Sequence, residues 1–255
     1  MQGDYILELN GVSKIFGQTR AVQPMDLAIQ SGRTTVLIGP SGCGKSTLLR
    51  LMIGLIRPDT GTMRFEGTLL MPDNVLTIRQ QMGYVIQEGG LFPHLTARDN
   101  VSLMARHLGW EDDRISARLT ELAEMTQFPS DGLDRYPAQL SGGQQQRVSL
   151  MRALMLDPHL LLMDEPLGSL DPMICAGLQI DLREIFQALG KTVVMVTHDM
   201  AEAGFFGDVI VLLREGKIVQ QDTLEALVSA PTDVFVTSFI NAQRSPLELV
   251  GGGTL

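Results

Sequence analysis

Thr35-Val36-Leu37-Ile38, Gly39-Pro40-Ser41-Gly42-Cys43-Gly44-Lys45-Ser46-Thr47 and Leu48-Leu49-Arg50-Leu51-Met52 follow one another without a break. The first four residues read as a buried strand, the glycine-rich run as a loop and the leucine-rich end as a helix. Glycines let consecutive backbone N–H groups turn toward one anion, and the helix that follows adds the positive end of its dipole. Such a loop suits the phosphates of a nucleotide, with Lys45 reaching the terminal phosphates and Ser46 ligating Mg²⁺. A glycine-rich turn without function satisfies the same spacing, but a strand before it and a helix after it make that the weaker reading.

Composition narrows the class. A chain of 255 residues buries one sizeable core, or one domain with a subsidiary lobe. Its 44% hydrophobic and 19% charged residues are those of a globular protein. The net charge of −9, with no lysine or arginine stripe, argues against nucleic acid as a partner. Cys43 and Cys175 make neither a disulfide framework nor a zinc pattern, which fits a reducing compartment. The N-terminus shows no basic-then-apolar leader and no apolar run has bilayer length. The expectation is a soluble cytoplasmic protein that meets a membrane only through a partner.

Around the loop, alternation marks strands at Ile6–Asn10, Val12–Phe16 and Ala21–Ile29, and a hairpin arm at Thr62–Gly67. Together they predict a small antiparallel sheet covering one side of the nucleotide. A short strand, Met82–Ile86, stops at Gln87, and a break rich in glycine and proline follows. Helical periodicity then runs from Ala97 to about Phe128. Leu140-Ser141-Gly142-Gly143-Gln144 opens another helix, with Ser141 and Gln144 at capping-box spacing. Its glycine pair leaves N–H groups open to an anion, although ordinary capping uses the same residues.

Leu160–Met163 is continuously apolar, as in a parallel-sheet strand buried on both faces, and ends in Asp164-Glu165. Carboxylates there emerge where open α/β sheets bind ligands, one able to hold Mg²⁺ and its neighbour to polarise water. Asp171 caps a helix that begins at Pro172, and Thr192–Thr197 is the next buried strand, with His198 at its end. A histidine so placed is most often a turn residue, but it faces the same crevice as the carboxylates. A hairpin at Val209–Gln221 and a helix at Thr223–Val228 complete the pattern.

The phosphate loop, Gln87, Leu140–Gln144, Asp164-Glu165, Ser169-Leu170-Asp171 and His198 stand in the order of the ATP-binding cassette (ABC) ATPases, which the chain resembles from about Ile6 to Gln221. The resemblance implies an α/β fold: a RecA-like phosphate-loop core with an N-terminal antiparallel β subdomain and an inserted helical subdomain. It implies one nucleotide-binding domain over residues 6–238, with the helical subdomain at about 92–156, and a short tail at 239–255 without a regulatory domain. In that family two cassettes enclose two ATP molecules head to tail, each site joining one subunit's phosphate loop to the other's Ser-Gly-Gly-Gln.

On that footing ATP would be held by Phe16, Gly39, Pro40, Ser41, Gly42, Cys43, Gly44, Lys45, Ser46 and Thr47, and in trans by Leu140, Ser141, Gly142, Gly143 and Gln144. Phe16 stands where an aromatic, usually tyrosine, stacks on adenine. Ser46, Gln87 and Asp164 would hold Mg²⁺; Glu165 is similar to the general base, His198 to the γ-phosphate sensor, Lys45 to the β/γ-phosphate lysine, and Asp171 belongs to the D-loop.

Tyr84–Thr96, Asp164–Pro172 and Pro231–Ile240 resemble importers of osmoprotectants such as glycine betaine, choline or carnitine. The partners implied are a homodimer or a paired ABC subunit, transmembrane permease subunits at the inner face of the membrane and, indirectly, a solute-binding protein. Another solute, an exporter or a lipid-trafficking system stays open within transport. ABC ATPases acting on DNA or ribosomes usually carry coiled-coil insertions, zinc cysteines or tandem cassettes, and none is seen. A simple phosphate-loop kinase would not need Leu140–Gln144. Cys43, beside Lys45 and a helix N-terminus, is expected to have a lowered thiol pKa.

Overall fold

The computed structural model describes residues 5–87, 89–168 and 172–243, without the side chains of 172–176 and 187–189. Its elements in chain order are β1 (Tyr5–Phe16), β2 (Thr19–Gln30), β3 (Thr34–Ile38), α1 (Lys45–Met52), β4 (Thr60–Phe65), β5 (Thr68–Leu69), α2 (Val75–Arg79), β6 (Met82–Val85), α3 (Ala97–His107), α4 (Asp112–Met125), α5 (Gly142–Leu154), β7 (Leu160–Asp164), α6 (Pro172–Leu189), β8 (Thr192–Val196), α7 (Met200–Phe206), β9 (Val209–Arg214), β10 (Lys217–Asp222), α8 (Leu224–Ser229) and α9 (Val234–Ala242).

Two sheets form. The first, ordered β2-β1-β4-β5, is antiparallel throughout. The second, ordered β10-β9-β3-β8-β7-β6, is parallel except for the terminal β9-β10 hairpin. Its central strands are buried on both faces, which is why they read as unbroken apolar runs. Alternation sorts them into two cores: Val36, Ile38, Leu161, Met163, Val193, Met195, Ile210 and Leu212 join the helical side. Leu37, Leu160, Leu162, Val194, Val196, Val211 and Leu213 face α1 and the antiparallel sheet.

The segment 92–156 contains α3, α4 and α5, which pack through Val101, Ile115, Leu119, Leu122, Val148 and Met151 onto the helical-side core. The alternation that resumes after Gly11 belongs to one strand, β1. Gly11 adopts φ 60° inside β1, where the β1-β2 register shifts between Leu9 and Val12, so the interruption is a bulge within one strand. The β9-β10 turn has Glu215 at φ 49° and Gly216 at φ 77°, the conformation a two-residue hairpin favours. Helix α2 was not foreseen, and α9 runs across residue 239 with Phe239 and Ile240 packed against the core. Asp171 and residues 244–255 lie outside the described residues. No helix among the described residues is long and apolar enough to cross a membrane.

Candidate nucleotide site

Strand β3 delivers the glycine-rich loop at the carboxyl edge of the parallel sheet. Gly39 and Gly44 are obligatory: they hold φ of 152° and 106°, and a Cβ would come within 2.1 Å of Leu213 O and 2.3 Å of Ala21 O, respectively. Gly44 is also the N-cap of α1 and offers no side-chain cap. By contrast, Thr96, Ser141, Asp199, Thr223 and Asp233 cap α3, α5, α7, α8 and α9 with side-chain oxygens. The first N–H groups of α1 are left for an anion.

Lys45 is 6% exposed, and its Nζ donates to the carbonyl oxygens of Gly39 at 2.7 Å and Pro40 at 3.1 Å. Ser46 Oγ donates to Asp164 Oδ1 at 2.9 Å, joining the start of α1 to the end of β7. Ala21, Ser41, Gly42, Gly44, Lys45, Ser46, Thr47 and Glu165 line a cavity of about 210 Å³. Leu140–Gln144 do not line it.

The carboxylates differ sharply. Asp164 is 3% exposed, and burial first, then the neighbouring Glu165 charge, push its pKa up against the Ser46 hydrogen bond that opposes the shift. Glu165 takes the left-handed conformation, φ 45°, anchored by its N–H to Val196 O at 3.0 Å. That turns its carboxylate along the cavity, where Oε2 lies 3.4 Å from His198 Nδ1. The structure therefore brings together Lys45, Ser46, Asp164, Glu165 and His198.

The remaining candidates stand elsewhere. Gln87 is exposed just past β6, and Phe16 is half-exposed at the β1-β2 tip, its ring 5.6 Å from Lys14 Nζ. At the start of α5 the capping box forms in both directions: Gln144 N–H donates to Ser141 Oγ at 3.3 Å, and Ser141 N–H to Gln144 Oε1 at 3.0 Å. Ser141 and Gly142 are exposed, whereas Leu140 and Gly143 are buried.

Cys43 overturns one expectation. The thiol is 4% exposed, and desolvation outweighs the nearby Lys45 ammonium, so its pKa is raised. The side chain belongs to the core between α1 and the antiparallel sheet. Position beside a cation was the wrong guide, because the nucleophilic atom faces inward.

Sequence reading passed over Tyr84 and Arg50. The Tyr84 phenol interacts with both Arg50 and Asp164, and burial followed by the Asp164 charge raises its pKa. Arg50 follows Ser46 by four residues, one helical turn on the same face of α1, so that much was available from spacing.

Fold and cavity define a phosphate-loop nucleotide-binding domain with a second, antiparallel sheet and a helical lobe. The chain belongs to the ABC transporter family, whose pattern matches residues 22–168. It is 42% identical over 240 residues to the glycine betaine/carnitine/choline transport ATP-binding protein OpuCA of Bacillus subtilis (strain 168), covering 94% of this chain and 63% of that protein. It is 41% identical over 245 residues to the glycine betaine uptake system ATP-binding protein YehX of Escherichia coli (strain K12), covering 96% and 80%. Among solved structures, a dimeric post-hydrolysis state of the ATP-binding cassette MJ0796 bound to ADP and Pi superposes with a TM-score of 0.77 at 33% identity, covering 86% of this chain and 98% of that one. The chain spans less than two thirds of the length of the Bacillus relative.

Proposed function

We propose that this chain is the ATP-hydrolysing subunit of a bacterial ABC importer, in which two copies close over two ATP molecules and drive permease subunits at the inner face of the membrane. Relatives named for glycine betaine, carnitine and choline support an osmoprotectant cargo, delivered by a solute-binding protein. The observation that carries the reading is the division of the site. The cavity of about 210 Å³ is lined by Ala21, the phosphate loop, the start of α1 and Glu165. The exposed Ser141-Gly142 start of α5 takes no part in it. A second copy would supply that half.

Within each site the loop N–H groups and Lys45 hold the β- and γ-phosphates. The Ser46–Asp164 oxygen pair, already 2.9 Å apart, fits a hard cation, and Gln87 would complete its protein ligands. Mg²⁺ bound there would neutralise charge on the β- and γ-oxygens. Glu165 accepts a proton from the attacking water as its oxygen bonds to the γ-phosphorus and the bond to the β,γ-bridging oxygen breaks. His198, beside the Glu165 carboxylate, donates from its ring to the γ-phosphate. Phe16 offers its face to adenine. ADP lacks the group that the Ser141 helix start contacts, so cleavage weakens the closed dimer.

Glu165→Gln removes the base and keeps the shape. Nucleotide binding should persist while phosphate release falls about 10²–10⁴-fold. A variant hydrolysing at the native rate would take Glu165 out of the base role.

A further inference from the structure

His198 is held by its backbone. Its side chain is 60% exposed, and its ring Nδ1 lies 3.4 Å from Glu165 Oε2. The reach of the imidazole is thus set by the chain between Thr197 and Met200. Part of that turn is self-supported: Asp199 N–H donates to Thr197 Oγ1 at 3.1 Å, and Asp199 Oδ1 accepts from the N–H groups of Ala201 and Glu202 at 2.6 and 3.2 Å. Thr197 Oγ1 in turn donates to Glu202 Oε2 at 2.5 Å.

The other support comes from 45 residues downstream. Gln243, the C-cap of α9, donates from Nε2 to His198 O at 2.7 Å and accepts at Oε1 from Met200 N–H at 3.0 Å. One planar amide spans a carbonyl and an N–H two residues apart. The partners fix its orientation, since a carbonyl needs a donor and an N–H an acceptor. Met200 is the first residue of α7, so its N–H has no intrahelical acceptor, and Asp199 is occupied by the next two. Helix α9 is itself fixed: Val236 is fully buried, and Phe239 and Ile240 line one small enclosed space with Met200.

We propose that Gln243 is a positioning residue for His198, clamping the turn so that the imidazole stays within reach of Glu165 and the γ-phosphate. The proposal rests on the ATPase reading above. Gln243→Ala removes both bonds, and Gln243→Glu keeps the acceptor but sets a carboxylate against the His198 carbonyl. In steady-state ATP hydrolysis both should lower kcat, by about three- to tenfold for Gln243→Ala, with KM for ATP altered less than about twofold. In a His198→Ala background Gln243→Ala should cost nothing further, because the residue it positions is gone. A second readout needs no turnover. Of the four histidines, His198 is assigned by the imidazole NMR signal lost in His198→Ala, and that signal should move in Gln243→Ala while those of His94, His107 and His159 stay. A native kcat, an additive loss in the His198→Ala background or an unmoved His198 signal overturns the clamp. Absence of ATP turnover in the unsubstituted chain would instead overturn the ATPase reading, and the NMR experiment would still judge the clamp.

Discussion

A single carboxylate shows how the site works against the fold. The native state holds Asp164 at a raised pKa, so its proton is lost from the unfolded chain first, in the ordinary carboxylate range. As pH climbs through the native value the folded protein must carry a buried charge that the unfolded chain carries in water, and stability falls. The penalty is absent below the unfolded pKa and complete above the native one. Asp164→Asn keeps an oxygen for Ser46 Oγ and removes the charge. It should melt higher than the unsubstituted chain at pH 8, by about 2–4 °C for each kcal/mol relieved, and the gap should close below about pH 4, while ATP turnover is lost. Differential scanning calorimetry across pH decides it: a lower melting point at pH 8 would show that the Asp164 charge stabilises the fold. Asp164 was legible in the sequence because it ends a run of four apolar residues, Leu160–Met163. Its neighbours Tyr84 and Arg50 come from another strand and from a helix, and only tertiary packing puts them beside it. Cys43 was misread for the same reason, since a thiol's environment depends on which way the loop turns.

Elements carry the next level of specification. The segment after Gln87 reads as a break in the sequence, and its glycine and proline content suggests a mobile junction. In the fold, Gly89, Gly90, Phe92, Leu95 and Thr96 are bonded by side chains from two helices. Ser149 Oγ and Arg152 Nη2 of α5 donate to Gly89 O at 2.8 and 2.9 Å, and Arg152 Nη1 donates to Gly90 O at 2.8 Å. Asn100 of α3 does more. Fully buried, it accepts from Phe92 N–H and donates to the carbonyls of Phe92, Leu95 and Thr96. An asparagine inside an amphipathic helix carries no signal of this, because its four partners lie in the preceding loop and first turn. Asn100→Leu preserves volume but takes the partner from the part-buried Phe92 N–H and Leu95 O, while Phe92 O and Thr96 O keep backbone bonds from Leu95 and residue 100, so it should cost about 1–3 kcal/mol in urea denaturation. Amide exchange should rise over residues 92–96 before it rises in α5. Uniform exchange, or a loss below about 0.5 kcal/mol, would mean the loop is held by packing instead. The helices themselves were more readable: Ser141 and Gln144 announced the α5 cap by spacing alone, and both bonds form.

At the scale of the whole molecule, which strands belong to the parallel sheet follows from their unbroken apolar runs. Their order, β10-β9-β3-β8-β7-β6, does not, because it is set by pairings between segments far apart in the chain. That order places Lys45, Glu165 and His198 together after β3, β7 and β8, three adjacent strands, and it leaves the Ser141 helix start outside their cavity. A site completed by a second copy predicts a specific rescue. A Lys45→Ala chain carries a broken phosphate loop and an intact Ser141; a Ser141→Arg chain carries the reverse. Each alone should form dimers with both sites defective and hydrolyse no ATP. Mixed, they should pair at random, and about half the dimers would join the intact loop of one chain to the intact helix start of the other, restoring one site in two. The mixture should therefore recover up to about a quarter of the unsubstituted rate, the fraction rising and falling with mixing ratio as a product of the two concentrations. A Ser141→Arg chain that hydrolyses ATP by itself at the native rate would mean that each protomer hydrolyses alone and that the helix start at Ser141 serves only to cap α5. A mixture as inactive as its components, with both chains folded and dimeric in ATP by sedimentation, would mean that the loop of one chain and the helix start of the other do not share a site.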